Sequence, residues 1–159
     1  MIDINDLTEI FTYIDDENTG EIDIIDIAFA IEYFMSVDNN EDVLKNVQEI
    51  CSCTNYDIDG KIDLSQFLNF MHIYFNADLE DYNSIIFYAA DQDFSGTLNK
   101  NELKSLLKQE VNFNFVKRYL AATAIMIKYG NKGELSHENF LELAELFQGG
   151  ALEDEIQKL

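Results

Sequence analysis

Proline is absent from the sequence, and glycine is scarce, with seven residues in a chain of 159. Because proline breaks helix interiors and glycine weakens them, their scarcity favours a helical protein. Four of the glycines recur at intervals of 40, 36 and 37 residues: Gly20, Gly60, Gly96 and Gly133. A repeat of this length indicates one supersecondary unit used several times. We therefore predict a helical fold built from four related units.

Basic residues are also few, with ten lysines and arginines against 31 acids and a formal net charge of −21. Nucleic-acid binding needs a basic surface, so this composition argues against contact with a phosphate backbone. The imbalance is greatest in residues 1–74, which hold 17 acids and two bases. We therefore expect a partner that carries basic groups, attracted most strongly by the first half of the chain.

Signals of secretion, membrane insertion and catalysis are lacking. The two cysteines, Cys51 and Cys53, lie two apart on a predicted helix and point to different faces, which disfavours a disulfide and fits a reducing, cytoplasmic location. We see no signal peptide and no apolar run long enough to span a membrane. No P-loop, GxSxG or HExxH pattern occurs. We therefore predict that the protein is not an enzyme.

The most informative segment is residues 91–102, which read DQDFSGTLNKNE. Calcium prefers several oxygen ligands, and a twelve-residue loop with this spacing supplies them from one stretch of chain. Gly96 permits the sharp turn at the sixth position, and Glu102 at the twelfth can bind through both carboxylate oxygens. The candidate ligands are Asp91, Asp93, Ser95, Asn99 and Glu102, together with the backbone carbonyl of Thr97. We predict the strongest calcium site here.

Residues 15–26 match the same pattern with an altered end. Asp26 at the twelfth position is one methylene shorter than glutamate, which favours binding through one oxygen and suits magnesium better than calcium. Glu17 is longer than the usual aspartate and must fold back. The candidate ligands are Asp15, Glu17, Thr19, Glu21, Asp23 and Asp26. We predict a metal site that takes Ca²⁺ or Mg²⁺.

Residues 55–66 and 128–139 depart further from the pattern. The first of these loops has neutral ends, so we predict weak metal binding there; its candidate ligands are Asn55, Asp57, Asp59, Lys61 and Gln66. In the second, Lys128 and Asn139 replace the terminal acids. Because a lysine stands where the first ligand belongs, we predict that this loop binds no ion and serves to pair with its neighbour.

Aliphatic residues occupy the eighth position of all four loops: Ile22, Ile62, Leu98 and Leu135. In paired loops these residues form a short antiparallel bridge, so Ile22 should face Ile62 and Leu98 should face Leu135. Apolar residues at helical spacing flank each loop and should form the cores. Leu120 and Ile127 belong to this set, on the helix that leads into the fourth loop.

These loops resemble those of the EF-hand superfamily, and their arrangement as four units in two pairs resembles calmodulin and its relatives. The resemblance covers roughly residues 5–147. It implies an all-α fold of two EF-hand pairs with short antiparallel β bridges between paired loops. We assign the first pair to residues 1–76, the second to residues 77–148, and a short tail to residues 149–159.

The resemblance implies a calcium sensor whose lobe opens an apolar groove for an amphipathic, basic helix of a target protein. The expected groove residues are Phe34, Met35, Phe70, Met71, Leu106, Leu107, Met126 and Phe147. Each of them is equally suited to an ordinary core. Two alternatives stay open: a light-chain-like structural subunit bound constitutively to a basic helix, and a calcium buffer that binds the ion without opening.

Overall fold

A computed structural model describes residues 3–35, 40–110 and 115–148 of the chain. This part is mostly helical with two short antiparallel strand pairs, which confirms the predicted all-α fold class. The helices are α1 (Ile4–Ile14), α2 (Ile24–Met35), α3 (Asn40–Cys53), α4 (Leu64–Asn76), α5 (Tyr82–Ala90), α6 (Lys100–Glu110), α7 (Phe115–Lys128) and α8 (His137–Gln148). The strands are β1 (Glu21–Asp23), β2 (Lys61–Asp63), β3 (Thr97–Asn99) and β4 (Glu134–Ser136). The predicted tail at residues 149–159 lies outside the described residues.

Polar side chains fix where several helices begin. Asp3 caps α1 by accepting a hydrogen bond from the backbone N–H of Asn5 at 3.2 Å. Asp63 and Gln66 form a reciprocal capping box at the start of α4, with bonds of 2.9 and 3.0 Å. These caps satisfy N–H groups that a helix leaves without internal partners in its first turn. The caps therefore fix the first residues of α1 and α4, and α4 begins directly after β2.

Contacts within the chain divide it into two units, Met1–Ile85 and Ile86–Leu159. The predicted limits at residues 76 and 77 stay a prediction. In the first unit, β1 pairs antiparallel with β2, and Ile22 lies opposite Ile62 as predicted. The core beneath this bridge includes Phe11 and Phe67, whose ring centroids are 5.5 Å apart.

In the second unit β3 pairs antiparallel with β4, and Leu98 lies opposite Leu135 as predicted. Both leucines are fully buried. Phe87 of α5 packs against Phe140 of α8, with ring centroids 5.4 Å apart. The bridge therefore ties two loops together over one hydrophobic core.

Two residues expected in the core are exposed instead. Leu120 and Ile127 of α7 are 57% and 79% exposed. The prediction was wrong because α7 buries a neighbouring stripe of its surface: Ala121, Ala122, Ile125 and Met126. Two of these residues are alanines, whose small side chains let α7 approach α6 closely, and the larger apolar residues remain on the outer side.

The predicted groove residues are buried wherever their side chains are described. This set comprises Phe70, Met71, Leu106, Leu107 and Met126. The side chains of Phe34, Met35 and Phe147 lie outside the described residues. The groove therefore stays a prediction about a state in which these buried side chains are exposed. None of the described helices is long and apolar enough to cross a membrane.

Candidate metal site

The loop between α5 and α6 curls around its own carboxylates. Phe94 and Gly96 have left-handed backbone angles, with φ of 59° and 78°. These angles turn the chain so that Asp91 accepts hydrogen bonds from the N–H groups of Ser95 at 3.0 Å and Gly96 at 2.7 Å. Asp91 is completely buried. The loop backbone therefore holds the first predicted ligand in a fixed position.

Glu102 connects the start of the loop with the helix that leaves it. One carboxylate oxygen, Oε1, accepts hydrogen bonds from the N–H groups of Gln92 at 3.0 Å and Asp93 at 3.3 Å. The other, Oε2, accepts the N–H of Asn99 at 2.9 Å. Asn99 Oδ1 in turn accepts the N–H of Glu102 at 3.1 Å, which completes a capping box for α6. Glu102 is therefore both a helix cap and the twelfth residue of the loop.

Three acidic side chains meet at this point. Single carboxylate oxygens of Asp91, Asp93 and Glu102 all lie within 4.8 Å of one another. Hydrogen bonding, first from Ser95, holds the pKa of the Asp93 carboxyl below its ordinary value. Grouped hard oxygens with negative charge suit Ca²⁺. The side chains present here fit a calcium ion, with the Ser95 hydroxyl and the Thr97 carbonyl, 3.0 Å apart, on the same loop.

The first loop has the same local backbone as the third loop but differs at its twelfth residue. Asn18 and Gly20 have φ of 53° and 81°, and Asp15 accepts the N–H groups of Thr19 and Gly20, both at 2.8 Å. Burial acts to raise the pKa of the Asp15 carboxyl, but hydrogen bonds from Gly20 and Thr19 bring that pKa below its ordinary value. The carboxylate at the entrance of this loop therefore stays ionised and is held as Asp91 is.

The first loop differs from the third at its twelfth residue. Among the described residues no hydrogen bond joins Asp26 to the loop entrance, whereas Glu102 accepts two such bonds in the third loop. Burial, followed by repulsion from Asp23, raises the pKa of the Asp26 carboxyl. Within residues 3–35, 40–110 and 115–148, only the third loop gathers three acidic side chains within metal-binding distance. The two twelfth residues differ in length, since Asp26 has one methylene fewer than Glu102. Glu17 is exposed at the surface of the loop.

The second loop is held together by a tyrosine. The Tyr56 hydroxyl shares its hydrogen between two acceptors, the carbonyl oxygen of Gln66 at 3.2 Å and Asn69 Oδ1 at 3.0 Å. Burial raises the pKa of Tyr56 to about 12. The Gln66 side-chain oxygen caps α4 through the N–H of Asp63. Gly60 does not have a positive φ, unlike the glycines at the same position of the other three loops. The predicted weak ligands Asn55, Asp57 and Asp59 are all exposed, as is Lys61.

The fourth loop is a β-hairpin turn. Asn131 and Glu134 exchange backbone hydrogen bonds of 2.8 and 3.1 Å, and the two residues between them, Lys132 and Gly133, have φ of 54° and 90°. Positive φ at both central residues defines a type I′ turn. Asn139 donates to the carbonyl of Tyr129 at 2.7 Å and so closes the loop without an ion. This arrangement supports the structural role predicted for residues 128–139.

Gly130 leaves no room for a metal-ligating side chain in the fourth loop. It stands at the third position, where the other loops carry an acidic side chain. A Cβ built on Gly130 would lie 2.5 Å from the backbone carbonyl oxygen of Met126, far inside van der Waals contact. A carboxylate at this position would therefore force the end of α7 to move.

Several roles were not foreseen from the sequence. The capping functions of Asn99 and Gln66 and the tyrosine link in the second loop depend on contacts between the loop and the next helix. Thr97 Oγ1 also donates to Glu134 Oε2 at 2.8 Å, which joins the third and fourth loops beside the bridge. The capping pairs carry a sequence signal, a polar residue followed three positions later by glutamate or glutamine.

The cysteines carry no sign of a reactive site. Both thiols are free and partly buried, and burial raises the pKa of Cys51 to about 11. The Cys53 pKa is raised as well, mainly by burial. A thiol with a raised pKa is protonated at neutral pH and is a poor nucleophile.

Comparison with known proteins supports the metal assignment. The family model of the EF-hand domain pair matches residues 80–110, which contain the third loop and the helices on both sides of it. A search of curated proteins found no match to the chain. The family match supports the EF-hand superfamily and calcium binding, in a family that is typically not enzymatic.

Proposed function

We propose that the chain is a calcium-responsive adapter of the calmodulin-like, four-EF-hand type, and that its second unit carries the response. The observation that supports this most directly is the position of Glu102. Its carboxylate joins the loop entrance at Gln92 and Asp93 to the first turn of α6. Bound calcium would supply positive charge to the three clustered carboxylates. Asp91, Asp93, Ser95, Thr97 and Glu102 would hold it.

The connection between Glu102 and the core supports a change in shape. Glu102 lies on α6, and the same helix places Leu106 and Leu107 in the core of the second unit. If the carboxylate shifts to a new set of contacts, α6 shifts with it, and these leucines become uncovered. The buried groove residues Leu106, Leu107 and Met126 are then available to an amphipathic helix.

The first unit is proposed to respond less. Among the described residues no hydrogen bond joins Asp26 to its loop entrance, and in the second loop the Tyr56 hydroxyl bonds to the Gln66 carbonyl and to Asn69. Magnesium at the first loop remains part of the proposal, since a one-oxygen carboxylate favours a lower coordination number. The cytoplasmic location also remains a proposal, as does the absence of a catalytic role.

A constitutive, light-chain-like role is the second candidate, and one observation favours it. Ile25, Phe29 and Tyr33 stand four residues apart on α2 and are 39%, 61% and 75% exposed. They form an exposed apolar stripe on α2, although other apolar residues of the same helix, Ile27 and Ile31, are buried in the core. Because residues 1–74 carry 17 acids and two bases, a basic helix is the partner that this unit would attract. Such contact would not require calcium.

Calorimetry on the full chain tests the calcium assignment. We expect one or two tight sites, with affinity of about 10⁻⁷–10⁻⁵ M at the third loop. Four equivalent sites would contradict the proposal. A magnesium titration before calcium then separates the first loop from the third, because prior magnesium should reduce only the heat of the first-loop site.

Target binding needs a separate measurement. Binding of a synthetic basic amphipathic helix to the full chain, with calcium and with chelator, distinguishes the two candidates. Calcium-dependent binding accompanied by exposure of apolar surface to a dye supports the sensor. Equal binding in both conditions supports the constitutive subunit. Calcium binding without dye exposure or peptide binding supports a buffer.

A further inference from the structure

One stretch of this acidic chain has the opposite charge. Residues 100–132 contain seven bases and two acids, a net of +5, although the whole chain is −21. The remainder of the chain therefore carries −26. The bases are Lys100, Lys104, Lys108, Lys117, Arg118, Lys128 and Lys132. Seven of the ten basic residues of the protein thus fall in a segment that covers α6, α7 and the turn after it.

Three of these lysines follow one side of a helix. Lys100, Lys104 and Lys108 are spaced four apart on α6, so they lie along one side of it. Lys100 Nζ lies 4.0 Å from the centre of the Tyr119 ring on α7, and Lys104 Nζ lies 5.7 Å from it. Tyr119 is 46% exposed. We call Lys100, Lys104, Lys108 and Tyr119 the lysine–tyrosine surface.

Among the residues that the structure describes, no carboxylate forms an ion pair with Lys100, Lys104 or Lys108. The Tyr119 ring attracts two of the lysines through its negative face, which orients them without neutralising their charge. Oriented lysines lose less side-chain freedom when they bind an anion, so the surface is arranged in advance for a negatively charged group.

Apolar side chains adjoin this surface in the sequence of α7. Leu120 follows Tyr119 directly and is 57% exposed, and Ile127 lies seven residues, two helical turns, further on and is 79% exposed. Placing leucine and isoleucine in water is unfavourable by about 25 cal/mol per Å² of apolar area, so a partner that covers them gains affinity. Charge and apolar area together favour an amphipathic partner.

We propose that the lysine–tyrosine surface docks an acidic segment of another protein, with carboxylates against the lysines and apolar side chains against Leu120. A short segment fits the charge distribution better than a membrane or a nucleic acid. An extended polyanion would also meet the acidic remainder of the chain, and charges separated by less than about 10 Å repel strongly at ordinary salt. The surface uses other residues of α6 and α7 than the proposed groove, and it differs from the groove in the charge of its partner.

The probe is a synthetic acidic amphipathic peptide, with glutamates on one face and leucines on the other, and a matched peptide with lysine in place of each glutamate. Binding to the full chain is measured by fluorescence anisotropy in chelator, so that the result does not depend on the calcium response. The test variant is K104Q/K108Q. The control variant is K45Q/K158Q, which changes the net charge equally but alters two lysines outside residues 100–132.

We expect the acidic peptide to bind. K104Q/K108Q should weaken this binding about fivefold or more, while K45Q/K158Q should change the affinity less than about twofold. Y119L should weaken it about threefold by removing the ring that orients the lysines. Absence of acidic-peptide binding, or equal weakening by both lysine pairs, would overturn the proposal. Tighter binding through Lys104 and Lys108 to anionic lipid vesicles or to a DNA duplex would overturn it as well.

Discussion

The third and fourth loops share a unit, a strand pairing and a core, yet only one gathers carboxylates. Leu98 and Leu135 face each other across the bridge and are equally buried. Beyond this bridge the loops diverge: the third encloses Asp91, while the fourth makes a type I′ turn at Lys132 and Gly133. The residues that hold a paired loop in the fold are therefore separable from those that hold an ion.

The largest effect should come from breaking what the two loops share. Leu135→Ala removes a fully buried side chain from the core of the second unit. We expect the free energy of unfolding to fall by about 3 kcal/mol, as for other buried leucines. Urea unfolding in chelator measures this change. The control is Leu120→Ala on the exposed side of α7, which should cost less than about 0.5 kcal/mol. Equal losses of unfolding free energy in the two variants would mean that burial of Leu135 at the bridge does not stabilise the second unit.

The next largest effect should come from removing what the third loop alone possesses. Glu102→Gln deletes one charge and one anionic oxygen while hardly changing shape. We expect calcium affinity at this loop to fall by about two orders of magnitude, at ~1.4 kcal/mol per tenfold change. Calorimetry on the full chain measures it. Glu142→Gln, an exposed position on α8, makes the same charge change and should retain the native affinity. Native affinity in Glu102→Gln would show that the loop register is wrong.

A smaller gain is expected from making the first loop resemble the third. Asp26→Glu restores the missing methylene at the twelfth position, so the carboxylate can approach Asp15. In a Glu102→Gln background we expect calcium affinity of the first loop to rise about tenfold, equivalent to ~1.4 kcal/mol. Asp16→Glu, at the second position of the same loop, is the control and should have no effect. If Asp26→Glu leaves the affinity unchanged, side-chain length is not what limits this loop.

No new site is expected from restoring only the end residues of the fourth loop. The variant Lys128→Asp/Asn139→Glu supplies acids at the first and twelfth positions. The type I′ turn and the packing of Gly130 against the carbonyl of Met126 remain, so the third ligand has no room. Calorimetric stoichiometry should equal that of the native chain. An additional calcium ion per chain would show that the turn adapts to its ligands.

Patterns of residue type predicted the parts of the molecule that depend on local chain geometry. The spacing of glycines and position-eight aliphatics gave the strand register of both pairs, because a fixed loop length leaves one way to align them. Leu120 and Ile127 were misplaced because helical periodicity does not reveal which stripe a neighbouring helix will cover. The Tyr56 link was not predictable, since its partner Asn69 lies 13 residues away on α4.

The hydrogen bonds of Glu102 also give the molecule a local reporter of opening. Its carboxylate holds the N–H groups of Gln92, Asp93 and Asn99. Amide protons held in this way exchange with deuterium only when the bond opens. Exchange rates at these three positions therefore follow the contacts of a single side chain. They distinguish a rearrangement inside the loop from unfolding of the unit, which would also release the amides of the helices.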